Sequence, residues 1–182
     1  KFWDEKDGDI FWETEIGKGR PGWHIECSAM SMKYLGEQFD IHTGGIDHIS
    51  IHHTNEIAQS ECATGKKPFV KFWMHNEHVN TGGEKMAKSG DNFLTLNSLL
   101  KKKIDPIAYR FWLLMANYRT KMNFNWEALS GAETALRRLY SLYMGLSVTK
   151  LTNGKVNREY QKKFKEYVGN DLDTPRALSL LW

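Results

Sequence analysis

Cys27, His52 and Glu56 offer a thiol, an imidazole and a carboxyl group, three side-chain types that zinc accepts as ligands. His52 and Glu56 are four residues apart, so on a helix they share one face and can both reach a single ion. Cys27 stands 25 residues before His52 and would come in from a preceding helix. Five of the seven histidines fall between His24 and His53, which concentrates ligating chemistry in this stretch. A plainer reading stays open, because paired histidines often form a polar helix face and cysteine is often a small buried side chain. No further histidine follows Glu56 in the way the HExxH and HxxEH patterns demand, which disfavours a zinc peptidase.

A second cluster has a different chemistry. Glu84-Lys85-Met86-Ala87-Lys88-Ser89-Gly90 sets two lysines three residues apart beside Gly82, Gly83 and Gly90. A loop of this kind can deliver two ammonium charges to a triphosphate, lysine acting as a point charge. The same two lysines would also suit an ordinary solvated surface.

These residues must be positioned by alternating strands and helices. The stretch from His24 to Gly36 has helical spacing, with Ile25, Ala29 or Met30, and Met32 to Leu35 available to line one face. Phe39-Asp40-Ile41-His42 alternates as a short strand would, and Gly44-Gly45 is expected to break it. Helical spacing resumes from His52 through Ala63, and Phe69 to Met74 is a second short strand. That order predicts an α/β fold with a parallel sheet, whose ligands bind at the carboxyl ends of the strands. After Asn92 the pattern turns helical: Asp105-Pro106 caps a helix over 107–118. Ala132, Ala135, Leu136, Leu139, Leu142 and Tyr143 line an amphipathic helix, and Asp173-Thr174-Pro175 opens another.

Composition limits the function classes. The chain has 182 residues, 41% of them hydrophobic and 26% charged, with a net charge of +3, which gives one domain or parts of two with a mildly basic surface. No apolar run approaches the roughly 18 residues of a membrane span and no leader opens the chain, so a cytoplasmic protein is expected. Two cysteines, Cys27 and Cys62, are too few for a disulfide scaffold. The start at Lys1 and the end in the apolar run 177–182 read as a fragment.

The lysine loop resembles the KMSKS signature of class I aminoacyl-tRNA synthetases, and three further segments resemble the cysteinyl-tRNA synthetase family within that class. Gly19-Arg20-Pro21-Gly22-Trp23-His24-Ile25-Glu26-Cys27-Ser28-Ala29-Met30 is similar to the family's stretch with a zinc cysteine. Phe39-Asp40-Ile41-His42-Thr43-Gly44-Gly45-Ile46-Asp47 is similar to FDIHGGG-x-D, and His52-His53-Thr54-Asn55-Glu56 to HHENE. Carried over position by position, the resemblance makes Cys27, His52 and Glu56 zinc ligands, and His53 none. It makes Trp23 and Asp47 walls of a cysteine pocket, Lys85 and Lys88 phosphate-binding catalytic groups, and His42, Gly44 and Gly45 nucleotide contacts. The family's fourth zinc ligand and its HIGH motif belong to the part before Lys1. Thr43, Ser50-Ile51, Thr54 and Ala87 depart from the family pattern without removing a proposed ligand or lysine.

What the resemblance implies is a ligase that activates cysteine with magnesium-bound ATP and transfers it to tRNA(Cys), with one zinc per chain reading the substrate sulfur. The implied architecture is the C-terminal half of a Rossmann-type catalytic domain followed by helical tRNA-facing parts. Its divisions are a connective segment over 1–18, the catalytic domain over 19–104 with its loop at 85–89, a stem-contact region over 105–125 and a helical tRNA-binding domain over 126–182. A monomer with no membrane partner is expected. Two rivals share some features: a cysteine ligase of the same fold that joins the adenylate to an amino sugar, and a non-catalytic zinc module that binds RNA. The helical region that follows disfavours the first, and the lysine loop disfavours the second.

Overall fold

The structure, a computed structural model, describes residues 1–85, 94–148 and 154–182. Lys88 lies outside the described residues, and Lys85 is described in its backbone alone. The chain divides into two compact units, Lys1–Asn76 and Glu77–Trp182.

The first unit opens with an antiparallel hairpin, β1 (Trp12–Thr14) and β2 (Gly17–Gly19). Helix α1 (Trp23–Leu35) begins after Gly22, whose extended backbone starts the first turn, and ends at Gly36, whose φ of 91° suits glycine. The face that α1 buries differs from the sequence expectation. Ile25, Met30 and Leu35 are exposed and the buried residue is Ser28. The apolar residues of α1 are spread around the helix instead of forming a stripe, so packing on the next helix selects the small side chain.

Strand β3 (Phe39–Gly45) leads through a 3-10 turn (Ile46–His48) and a π-helical turn (Ile49–His53) into helix α2 (Thr54–Thr64). Gly65, in the left-handed region, closes α2 by donating its N–H to the Glu61 carbonyl. Strand β4 (Val70–Asn76) then pairs parallel with β3, completing a strand-helix-strand unit. The strand predicted to break at Gly44-Gly45 runs through both glycines, which pair in register with His75 and Asn76. Phe39, Phe69 and Val70 form the small core, with Met32 and Trp73 packed against it.

The second unit contains β5 (Val79–Thr81), β6 (Glu84–Lys85), α3 (Leu96–Lys101), α4 (Pro106–Leu114), β7 (Met122–Phe124), α5 (Trp126–Val148), α6 (Arg158–Gly169) and α7 (Thr174–Ser179). Strand β5 pairs antiparallel with β6 and parallel with β7. Strand β7 corrects the expectation of an all-helical second half. The predicted caps are present: Asp105 accepts from the Ile107 N–H at 2.8 Å with Pro106 in the first turn, and Asp173 accepts from the Arg176 N–H. The helix predicted over 107–118 stops at Leu114. Leu129, Ala132 and Leu136 of α5 pack with Leu99, Ala108, Phe111, Trp112 and Phe124 as the core of this unit. Parallel strands joined by helices place the chain in the α/β class expected from its sequence. Among the described residues, no helix is long and apolar enough to cross a membrane.

Candidate metal centre

Three elements of the first unit meet around Glu56. Helix α1 brings Cys27, the π-helical turn brings His52 and His53, and the first turn of α2 brings Glu56. One ligand atom from each of Cys27, His52 and Glu56 lies within 4.8 Å of the others. The sequence spacing therefore translates into proximity, although His52 and Glu56 sit in consecutive turns of different winding. A wider π-turn shifts the side chains that follow it, and such turns recur at functional sites.

The carboxyl group of Glu56 is fully buried, and its two oxygens have different surroundings. Oε2 lies 2.8 Å from His42 Nε2, which is in hydrogen-bonding position, so the imidazole donates to it in the Nε2–H tautomer. Oε1 lies 2.8 Å from His52 Nε2 without hydrogen-bond alignment, and among the described residues it has no hydrogen-bond partner. A buried carboxylate oxygen costs free energy when unpaired. Two ligand atoms on one tetrahedral zinc would stand ~3.4 Å apart, given bonds of ~2.1 Å. A spacing of 2.8 Å between Oε1 and His52 Nε2 is close to that and needs only a small opening. The donor set of sulfur, nitrogen and oxygen, with this orphaned oxygen facing the nitrogen, fits a zinc ion.

A second group, His42, His53 and Glu56, also brings its atoms within 4.8 Å. Hydrogen bonding accounts for this side: His42 holds Oε2, and His53 Nδ1 lies 2.7 Å from His75 Nε2. Burial lowers the pKa of His53 to about 4, helped by repulsion from His42, His75, His48 and His52. Burial also pushes His52 below its ordinary value, against an opposing pull from Glu56. The Cys27 thiol is pushed up by burial first, then by the Glu56 and Glu26 carboxylates.

Aromatic rings enclose the cluster. Trp23 covers His52 at 4.0 Å between ring centroids and meets His48 edge-on at 5.1 Å. Trp73, paired in register with His42, packs on His42 and His53 at 4.9 and 4.7 Å. Gly44 is tightly constrained, since a Cβ there would stand 2.6 Å from both His48 Nδ1 and His53 Cε1. Asp47, in the 3-10 turn, is exposed beside this cluster in sequence. The structure thus brings Trp23, Cys27, His42, Gly44, His52 and Glu56 together. The sequence reading missed the enclosing role of His48, Trp73 and His75. The density of histidines was the available signal for the first of these, while Trp73 and His75 are revealed only by the register of β4.

Comparison with known proteins identifies the family and the fold. A family model described as the tRNA synthetases class I (C) catalytic domain matches residues 1–134. The cysteine–tRNA ligase of Brachyspira hyodysenteriae is 45% identical over 190 residues, covering 100% of this chain and 40% of that protein. Cysteine–tRNA ligase 1 of Burkholderia lata is 47% identical over 172 residues, covering 94% of this chain and 36% of that protein. The chain therefore spans about 40% of the length of such relatives. In fold it is similar to the LeuRS of the Agrobacterium radiobacter K84 agnB2 LeuRS–tRNA–LeuAMS ternary complex, at TM-score 0.64 and 14% identity, over 97% of this chain and 28% of that one.

Proposed function

This chain belongs to the tRNA synthetases class I (C) catalytic-domain family, and from that premise we propose that it is part of a cysteine–tRNA ligase whose zinc recognises the substrate thiolate. The observation that carries the zinc assignment is the buried Glu56 oxygen, unpartnered among the described residues, set against His52 and within reach of Cys27. In this reading the longer protein joins cysteine to AMP from magnesium-bound ATP, releases pyrophosphate and passes the cysteinyl group to tRNA(Cys). It works as a monomer in the cytoplasm.

Each residue here has a physical task. Cys27, His52 and Glu56 hold the metal, and His42 fixes the orientation of Glu56 by donating to Oε2. Trp23, packed on His52, walls the amino-acid pocket, and Asp47 lines it from the adjoining turn. Lys85 and Lys88 neutralise charge on the departing pyrophosphate, and the end of β3, with His42, Gly44 and Gly45, adjoins the nucleotide. The parts over 105–125 and 126–182 face tRNA. Zinc held by Cys27, His52 and Glu56 would supply the discrimination as a Lewis acid that favours a thiolate over a neutral hydroxyl, where an apolar pocket separates cysteine from serine poorly.

The test uses the full-length protein. Cysteine-dependent ATP–pyrophosphate exchange is expected, with stoichiometric zinc that Cys27→Ser, His52→Ala and Glu56→Ala each deplete and His53→Ala retains. In the cobalt-substituted protein, cysteine should add a sulfur-to-metal charge-transfer band and serine should not. Full zinc retention in all three ligand variants, or tight cysteine binding that leaves the cobalt spectrum untouched, would refute the assignment.

A further inference from the structure

His48 is the last residue of the 3-10 turn, and its ring contacts three others: Trp23 at 5.1 Å, His52 at 5.0 Å and His53 at 5.1 Å between centroids. Its Nδ1 is enclosed and, among the described residues, has no hydrogen-bond partner. Trp23 is 57% exposed, and two of the ring contacts that locate its indole are with His48 and His52. A ring held on one side by imidazoles and open on the other is free to swing once a supporting ring is removed.

We propose that His48 is a positioning residue that holds Trp23 against His52 and so sets the affinity of the pocket for its amino acid. This rests on the ligase reading above. An unpartnered nitrogen in an enclosed position is unfavourable, and a hydrocarbon of similar bulk would avoid that cost. The contacts of His48 account for the imidazole. The ring lies directly against Gly44, where even a Cβ would come 2.6 Å from His48 Nδ1, and it meets the Trp23 ring at an interplanar angle of 88°. A branched aliphatic side chain is not flat, and it lacks the polarised edge that favours the perpendicular contact with the indole.

The experiment compares full-length wild type, His48→Ala and His48→Phe, all folded by thermal melting. In cysteine-dependent exchange, His48→Ala is expected to raise the cysteine KM about tenfold while kcat and the ATP KM stay within about twofold, the pattern of binding lost equally from the ground state and the transition state. His48→Phe, which restores a flat ring without nitrogens, is expected to recover most of the loss. The cobalt-substituted proteins without substrate give a second readout, because a displaced His52 alters the ligand-field band. An unchanged cysteine KM in His48→Ala, or His48→Phe as impaired as His48→Ala, overturns the proposal. Absence of exchange in wild type would refute the ligase reading instead, and an unaltered cobalt band in His48→Ala would then overturn the positioning claim separately.

Discussion

Replacing His42 with phenylalanine isolates one interaction of the centre. The ring of His42 packs between His53 at 4.8 Å and Trp73 at 4.9 Å, and a phenyl ring preserves that stacking. What is lost is the 2.8 Å hydrogen bond to a carboxylate oxygen of fully buried Glu56. A hydrogen bond to a charged group contributes about 1.5–3 kcal/mol. Part of this loss falls on folding, because Oε2 needs a donor whether or not metal is bound. The remainder falls on metal binding, since Glu56 then chooses its own orientation. Groups that orient a ligand change metal affinity by about 10–100-fold, or roughly 1.4–2.8 kcal/mol. Zinc affinity of full-length wild type and His42→Phe, measured by competition with a chromophoric chelator, should differ by that factor, with zinc still bound at stoichiometric concentration. An affinity within twofold of wild type, with a raised ATP KM, would refute the reasoning and make His42 a nucleotide contact alone.

Three other perturbations test separate parts of the structure. Gly44→Ala places a Cβ 2.6 Å from His48 Nδ1 and His53 Cε1, so the histidines must shift; overpacking of this kind costs about 1–3 kcal/mol, readable as a lowered Tm. Lys88→Ala should slow ATP–pyrophosphate exchange by roughly 10²-fold or more while zinc content stays unchanged, and an unaltered rate would return that lysine to the surface. In the second unit, Asp171 accepts from Arg119 at 2.7 Å and from Tyr118 Oη at 2.7 Å, which holds its carboxyl below the ordinary value. A depressed folded-state pKa contributes stability that is present above the unfolded carboxylate's pKa and lost as pH falls through the folded one. The Tm difference between wild type and Asp171→Asn should therefore be present at neutral pH and vanish in strong acid; a pH-independent difference would show that the charge is irrelevant.

How much of this was legible in the sequence depends on the kind of signal. Helices α4 and α7 were readable at their starts because Asp105-Pro106 and Asp173-Thr174-Pro175 cap them through their own side chains. The proximity of Cys27, His52 and Glu56 was readable from residue type and spacing, whereas their assignment as metal ligands came only from the family resemblance. Strand β7 was not, since three residues, Met122 to Phe124, are too few for periodicity and owe their state to pairing with Val79–Thr81. The supposed break at Gly44-Gly45 shows the same limit. Glycine there was read as a turn signal, whereas Gly44 lies within a paired strand and makes room for two imidazoles that arrive from later in the chain. The inward face of α1 was misjudged for a related reason: tertiary packing chose Ser28 over larger neighbours.

The charge balance around Glu56 explains why so many histidines surround one carboxylate. Cationic imidazoles packed this closely would repel, and burial pushes both His52 and His53 toward the neutral form. Neutral imidazoles can stack on one another and on the two tryptophans, and the neutral form is also the one that offers a lone pair to a metal. Burial and Glu56 likewise push Cys27 toward its uncharged thiol, so metal binding there must displace a proton. Nearby lysines are committed at the surface: Lys66 pairs with Glu37, Lys67 with Glu61 and Lys71 with Asp40. Among the described residues, the groups paired with the Glu56 oxygens are His42 and His52, and one oxygen has no hydrogen bond at all. A buried carboxylate is strongly unfavourable without a compensating charge. A divalent cation shared with His52 and Cys27 would supply that charge, and this need, together with an oxygen, a nitrogen and a sulfur within 4.8 Å of one another, is what supports the proposed metal site.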